Sequence, residues 1–105
     1  MIEYTEGIYK FYVYILTNKY RTTFYIGVTN NLKKRLGQHK DSIQKKQKTF
    51  VARFHLSELI YYETFGWIQQ AIAREKELKG WRKEKKLNLI RCSNHKIESL
   101  NSFFE

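Results

Sequence analysis

A chain of 105 residues has room for one modest hydrophobic core and needs no covalent staples to hold it. Twenty Lys and Arg against ten Asp and Glu leave a net charge of +10, and aromatics make up 16%, a balance that fits a polyanionic partner better than solubility alone. The lone Cys92 excludes an intramolecular disulfide framework and suits a reducing compartment, and no apolar run approaches the roughly 20 residues of a membrane span.

In chain order, the acidic start MIEYTEG lacks the basic region and apolar stretch of a signal peptide, so a cytoplasmic protein is expected. Lys10 to Thr17 is rich in β-branched and aromatic residues, and so is Thr23 to Val28. The short polar NKYRT between them predicts an antiparallel hairpin. From Asn30 to about Ile43 the hydrophobic period becomes helical, with Leu32, Leu36 and Ile43 on one stripe and Thr29, Asn30 and Asn31 available as caps. QKKQKTF reads as a basic loop, and Leu56 to Phe65 as a third strand. Ile68 to Lys79 reads as a helix that Gly80 interrupts, and WRKEKKLNLIR as a further helix up to Cys92. No proline, repeat or linker divides the chain, so residues 1–105 are expected to form one domain. The order β-β-α-β-α-α predicts an α/β (α+β) fold, a small three-stranded antiparallel sheet flanked by helices.

Two tyrosine triplets compete for a place beside Tyr25-Ile26-Gly27: the literal Gly7-Ile8-Tyr9, and Tyr12-Val13-Tyr14. A turn centred on Lys19 and Tyr20 pairs Tyr14 with Tyr25 and Tyr12 with Gly27. The other face then carries Phe11, Val13 and Ile15 opposite Val28, Ile26 and Phe24, uniformly apolar and the natural core face. Tyr9 falls opposite Asn30 with the parity of those core residues, which favours Tyr14. Taken alone, Tyr14 and Tyr25 read better as an ordinary cross-strand aromatic pair that stabilises the sheet, a reading that weakens once the next element is added.

Arg35 and His39 lie four apart on the following helix and share a face. Gly27 lets that helix begin close to the tyrosines. Phosphodiester hydrolysis needs a group that takes a proton from water and positive charge where the pentavalent phosphate gathers negative charge. The planar fork of Arg suits the second task, although Lys33, Lys34 and Lys40 make a plain basic surface the competing explanation. Glu75 falls inside the apolar stripe of Ile68, Ala71, Ile72 and Leu78, where a carboxylate is costly unless paired or bound. A salt bridge to one of the many cations, such as Arg35, and a single carboxylate ligand for Mg²⁺ both satisfy that position; spacing leaves the two open.

Together these stretches resemble the GIY-YIG nuclease family, and most of all its small stand-alone bacterial members. The carrying residues are YVYIL (Tyr12 to Leu16), YIGVTNNLKKRLGQHK (Tyr25 to Lys40), AIAREKELKGWRKEKKLNLI (Ala71 to Ile90) and Asn94. The resemblance covers roughly residues 10–100. It implies cleavage of DNA, or alternatively RNA, with one Mg²⁺ or Mn²⁺ ion, and a structure-selective task in DNA repair or recombination. Carried across, Tyr14 and Tyr25 match the two tyrosines, Arg35 the catalytic arginine and His39 the histidine one turn later. Glu75 matches the metal-binding glutamate, and Asn94 the asparagine near the end of the core. Gly27, Lys33, Lys34 and Lys40 are the expected substrate contacts. One tyrosine acts as general base in such enzymes; Tyr14 is favoured here, with Tyr25 orienting water or phosphate. A phenol of pKa about 10 must then be tuned by Arg35 or the ion.

Three departures stand against the family pattern. Tyr12 replaces the glycine of the first triplet, HKIESL follows Asn94 where a proline and a tryptophan are usual, and no further domain is expected to supply targeting. Two other readings compete. A non-catalytic basic nucleic-acid-binding module would use QKKQK and WRKEKK for phosphate contacts, but gains nothing from an acid such as Glu75. A scaffold would use Tyr61, Tyr62, Trp67 and Trp81 as anchors.

Overall fold

The computed structural model describes residues 10–105, so the triplet ending in Tyr9 lies outside the described residues. Strand β1 (Phe11–Thr17) is central, hydrogen-bonded to β2 (Phe24–Thr29) on one side and β3 (Glu58–Phe65) on the other, all antiparallel. Helix α1 (Leu32–Gln44) follows β2, and a short helix α2 (Phe50–Arg53) precedes β3. Helices α3 (Ile68–Lys79) and α4 (Lys83–Ser93) follow it, then a 3-10 turn at Asn101–Phe104. The expected sheet and the β-β-α-β-α-α order are present, with α2 and the 3-10 turn in addition.

The hairpin register differs from expectation by two residues. Tyr14 pairs with Gly27 and Leu16 with Tyr25, whereas a tight turn would have paired Tyr14 with Tyr25. The cause is a wider reversal built on Asn18. Its side-chain oxygen accepts from the Thr22 N–H at 2.9 Å and its amide donates to Thr22 Oγ1 at 2.7 Å. Arg21, at φ 56°, supplies the left-handed residue. A shift of two preserves the faces, so Val13, Ile15, Ile26 and Val28 still lie together, and so do Tyr14, Tyr25 and Gly27.

Both faces of the sheet are covered. Val13, Ile15, Ile26 and Ile60 pack under Ala71 and Leu78 of α3 and Ile90 of α4. On the other face Tyr14, Leu16 and Leu59 pack with Leu32 of α1 and Val51 of α2. The tyrosine face is therefore a second core, and every residue from Val13 to Thr17 is buried. Arg74 fastens α3 to β3: its Nε and Nη2 each donate to a Glu63 oxygen at 2.9 Å, and its guanidinium lies 5.2 Å from the Trp81 ring centre. Of the aromatic anchors a scaffold would use, Tyr61 is buried and Trp81 half-buried, while Tyr62 and Trp67 are exposed.

Candidate active site

The site begins with a missing side chain. Tyr14 and Gly27 face each other across β1 and β2, and a Cβ on Gly27 would lie 2.6 Å from the Tyr14 hydroxyl oxygen and 2.7 Å from the ring carbon bearing it. The phenol thus occupies the space that any other residue at 27 would fill. Gly27 seats Tyr14, which is a packing role distinct from the substrate contact expected of it.

Helix α1 brings the next two groups. It starts at Asn31, whose side chain accepts from the Lys34 N–H at 3.0 Å, so Arg35 and His39 fall on the face turned toward β1 and β2. The Tyr14 hydroxyl and His39 Nε2 are 2.9 Å apart, and Arg35 Nε donates to the same hydroxyl at 3.4 Å. Arg35 Nη1 donates to Gln38 Oε1 at 3.0 Å. The Tyr25 ring centre is 6.1 Å from that of Tyr14 and 5.6 Å from that of His39. Three elements, β1, β2 and α1, therefore converge two phenols, an imidazole and a guanidinium.

These groups do not share one exposure. An open cavity of about 440 Å³ is lined by Tyr25, Arg35 and His39, together with Gln38, Ser42, Gln47, Thr49, Phe50 and Val51. Tyr14, with 0% of its surface exposed, lies behind that wall. Gln38 and Ser42 stand three residues after Arg35 and His39, so helical spacing could have found them. The side contributed by Thr49, Phe50 and Val51 belongs to α2 and its cap, four residues too short to show a period. Ser42 Oγ and Thr49 Oγ1, 2.9 Å apart, tie α2 to α1 across the cavity floor.

Burial sets the protonation states. It pushes the Tyr14 phenol up to about 12, although the Arg35 hydrogen bond pulls the other way. Burial, seconded by the Arg35 charge, lowers His39 to about 4. At pH 7 the protein's own groups therefore hold Tyr14 protonated and His39 neutral. Since Arg35 can only donate, the phenolic hydrogen is free to go to Nε2, which assigns Tyr14 as donor and His39 as acceptor. Arg35 does lower the tyrosine, as expected, but burying the phenolate outweighs its 3.4 Å bond and its charge, so the net shift is upward.

The remaining expected residues lie elsewhere. Lys33 and Lys40 line a separate groove with Leu36, Gly37 and Phe104, on another side of α1, and Lys34 is exposed. Asn94 ends α4, where its amide donates to the carbonyls of Ile60 at 3.0 Å and Glu98 at 2.7 Å. Its side-chain oxygen accepts from the Glu98 N–H at 3.0 Å. All these bonds run to backbone, and none reaches the tyrosine cluster. Glu75 does sit partly buried on α3, with 18% of its side chain exposed, but the cation it pairs with is Lys79 at 2.7 Å rather than Arg35.

The GIY-YIG catalytic domain model matches residues 10–88. The chain belongs to this family. No curated protein matches it. Among solved structures, the GIY-YIG chain is similar to the solution NMR structure of a UPF0213 protein from Bacillus halodurans. The two share 27% identity over 81% of this chain and 86% of the other, with a TM-score of 0.50. A GIY-YIG domain implies nuclease chemistry, and hence a nucleic acid as substrate. GIY-YIG nucleases generally use divalent metal ions. Among the described residues no three His, Cys, Asp or Glu gather as a ligand set, and the Glu75 carboxylate is partnered by Lys79. One hard carboxylate oxygen, held by a helix whose Ala71 and Leu78 are fully buried, fits an ion that keeps most of its waters. No helix among the described residues is long and apolar enough to cross a membrane.

Proposed function

We propose that the protein acts as a single metal-dependent DNA endonuclease domain in the reducing cytoplasm, where the exposed, free Cys92 is at home. The observation that carries this reading is one open cavity walled by Tyr25, Arg35 and His39, with Tyr14 bonded to Arg35 and His39 directly behind. A scissile phosphate entering that cavity meets the Arg35 guanidinium, which is placed to stabilise charge gathering on phosphorus. Tyr25, the tyrosine at the wall, meets the attacking water. Its ring packs 6.1 Å from that of Tyr14 and 5.6 Å from that of His39. A proton taken at Tyr25 would pass by way of the Tyr14 hydroxyl to neutral His39 Nε2, the acceptor of the bond already in place. This assignment puts Tyr25 at the water and Tyr14 in the relay, the reverse of the roles the family resemblance favours, because Tyr14 has no exposed surface. Glu75 does not line this cavity; as the residue matching the family's metal ligand, it would hold the divalent ion, here Mg²⁺ or Mn²⁺, whose chemistry is Lewis acidity at phosphate oxygen. Asn94 is given a structural role. A structure-selective task in DNA repair or recombination is part of this reading.

The test is cleavage of a labelled panel of duplex, nicked, flapped, branched and single-stranded DNA, with Mg²⁺, with Mn²⁺ and with chelator. Cutting should need the metal and should fall by about 100-fold or more in Arg35→Ala, as expected for removal of a transition-state charge partner. Glu75→Gln should stop cutting while leaving DNA binding intact. Salt-sensitive binding across the panel with no cutting would replace this reading with the non-catalytic binding module.

A further inference from the structure

The cavity is not bounded by polar groups alone. Helix α2 lays Phe50 along its wall, and Phe50 is 49% exposed. Its ring centre stands 6.5 Å from that of Tyr25 and 4.8 Å from that of Phe54, itself 40% exposed. A row of three aromatic rings therefore leads from the candidate reaction centre out to the surface. Burial does not explain the outer two. Helix α2 is already anchored by the buried Val51 and Ala52, so Phe50 and Phe54 face away from the side that packs.

The platform is also rigidly mounted. Thr49 caps α2 by accepting from the Ala52 N–H at 3.1 Å and holds Ser42 of α1 at 2.9 Å. Its surroundings are cationic. Lys46 and Lys48 precede it in a segment whose Gln47 and Thr49 line the cavity, and the Arg53 guanidinium lies 5.7 Å from the Phe54 ring centre. Exposed rings continuous with an open cavity of about 440 Å³ and flanked by positive charge match the chemistry of an unpaired nucleotide, whose base stacks while its phosphate is neutralised. A paired base has its faces occupied by its neighbours in the stack and cannot use such rings without being extruded.

We propose that Phe50, backed by Phe54, is a base-stacking site for an unpaired nucleotide next to the scissile phosphate, so that the protein selects DNA with unpaired bases at the cut. The 52° tilt between the two rings lets one base lie on Phe50 while Phe54 closes one edge. The proposal rests on the nuclease reading for the words "scissile phosphate", but the stacking itself can be measured without cleavage.

The experiment uses the full chain in chelator, with single-stranded and flapped DNA carrying 2-aminopurine at successive positions, and a blunt duplex of the same sequence as control. Stacking should quench 2-aminopurine at one or two adjacent unpaired positions. Phe50→Ala should remove that quench and weaken single-strand binding about tenfold, while duplex binding stays unchanged. Phe50→Trp should restore both. Thermal unfolding of each variant shows whether the fold is intact, and Phe54→Ala gives a second, smaller loss. Equal weakening on duplex and single strand, or a quench untouched by Phe50→Ala in a folded protein, overturns the proposal. With metal added, quenching without cutting anywhere would sink the nuclease reading and leave the stacking site. Cutting of duplex and flap at equal rates would do the reverse.

Discussion

At the scale of single residues, two groups have consequences out of proportion to their size. Gly27 has no room for a methyl: the atoms it would strike belong to Tyr14, which is wholly buried and tied to His39 and Arg35. Gly27→Ala should therefore cost about 1–3 kcal/mol of stability by overpacking, and should lower any cleavage rate further than that loss explains by moving the Tyr14 hydroxyl. Gly37, with nothing within 4 Å of its virtual Cβ, provides the contrast. Gly37→Ala in α1 should gain about 0.5–1 kcal/mol. Urea unfolding of the two variants checks both signs, and a Gly27→Ala protein as stable as wild type would show that the clash at 27 relaxes freely. His39 yields a pH effect. It is surrounded by Tyr14, Tyr25 and Arg35, and its pKa lies at about 4 in the folded chain against an ordinary 6.5. Between those values the unfolded chain binds the extra proton, so acidification favours unfolding. The stabilising contribution is fully present above about pH 6.5 and is lost as pH falls through about 4. From pH 7 to 4.5 the wild type should lose about 2 kcal/mol more than His39→Gln. Parallel loss in the two proteins, measured by urea unfolding at both pH values, would mean that His39 protonates freely in the fold.

At the scale of elements, legibility followed the strength of the periodic signal. The faces of the hairpin were readable because Val13, Ile15, Ile26 and Val28 alternate with the tyrosines, and parity survives any even shift. The register was not, because it is decided by how Asn18 folds its own loop, and nothing in NKYRT announces a wide reversal. Helix α3 was readable to the residue from its stripe. Helix α2 was hidden in a segment whose lysines and glutamines suggest loop, and with it went one wall of the cavity. Coverage of the tyrosine face was missed for a related reason: one apolar face was enough to account for a core, although the unbroken Leu59-Ile60-Tyr61 run of β3 is what a strand buried on both sides looks like. Asn94 shows the limit of carrying a residue across by position. Its three side-chain bonds join the end of α4 to β3 and to the 94–98 turn, so Asn94→Ala should leave buried backbone groups unpaired and cost about 2–4 kcal/mol. Cleavage per folded molecule should fall only modestly. A variant as stable as wild type but unable to cut would place Asn94 in the chemistry after all.

At the scale of the molecule, a net charge of +10 says that a polyanion is attracted but not where it lies. The arrangement of the cations is more specific. On α4, the Lys83 ammonium sits 5.6 Å from the Phe24 ring centre and donates to the Thr22 carbonyl at 3.3 Å, while Lys85 lies 4.2 Å from the Trp81 ring centre. These lysines cover apolar surface of their own chain, as long cationic side chains often do. Lys45 is paired with Asp41 at 3.0 Å, whereas Lys46 and Lys48 flank Gln47 at the cavity and are exposed. If DNA enters as proposed, its phosphates pass over the 45–48 segment before reaching Arg35. Each duplex phosphate neutralised contributes about 0.9 to the slope of log binding constant against log salt. Lys46→Gln with Lys48→Gln should therefore flatten that slope by about 2, and Lys83→Gln with Lys85→Gln should leave it unchanged. Salt titrations of duplex binding in chelator read both slopes directly. A larger change from the α4 pair would turn the nucleic acid to the opposite side of the sheet, away from Tyr25, Arg35 and His39, and the cavity would lose its claim to the scissile phosphate.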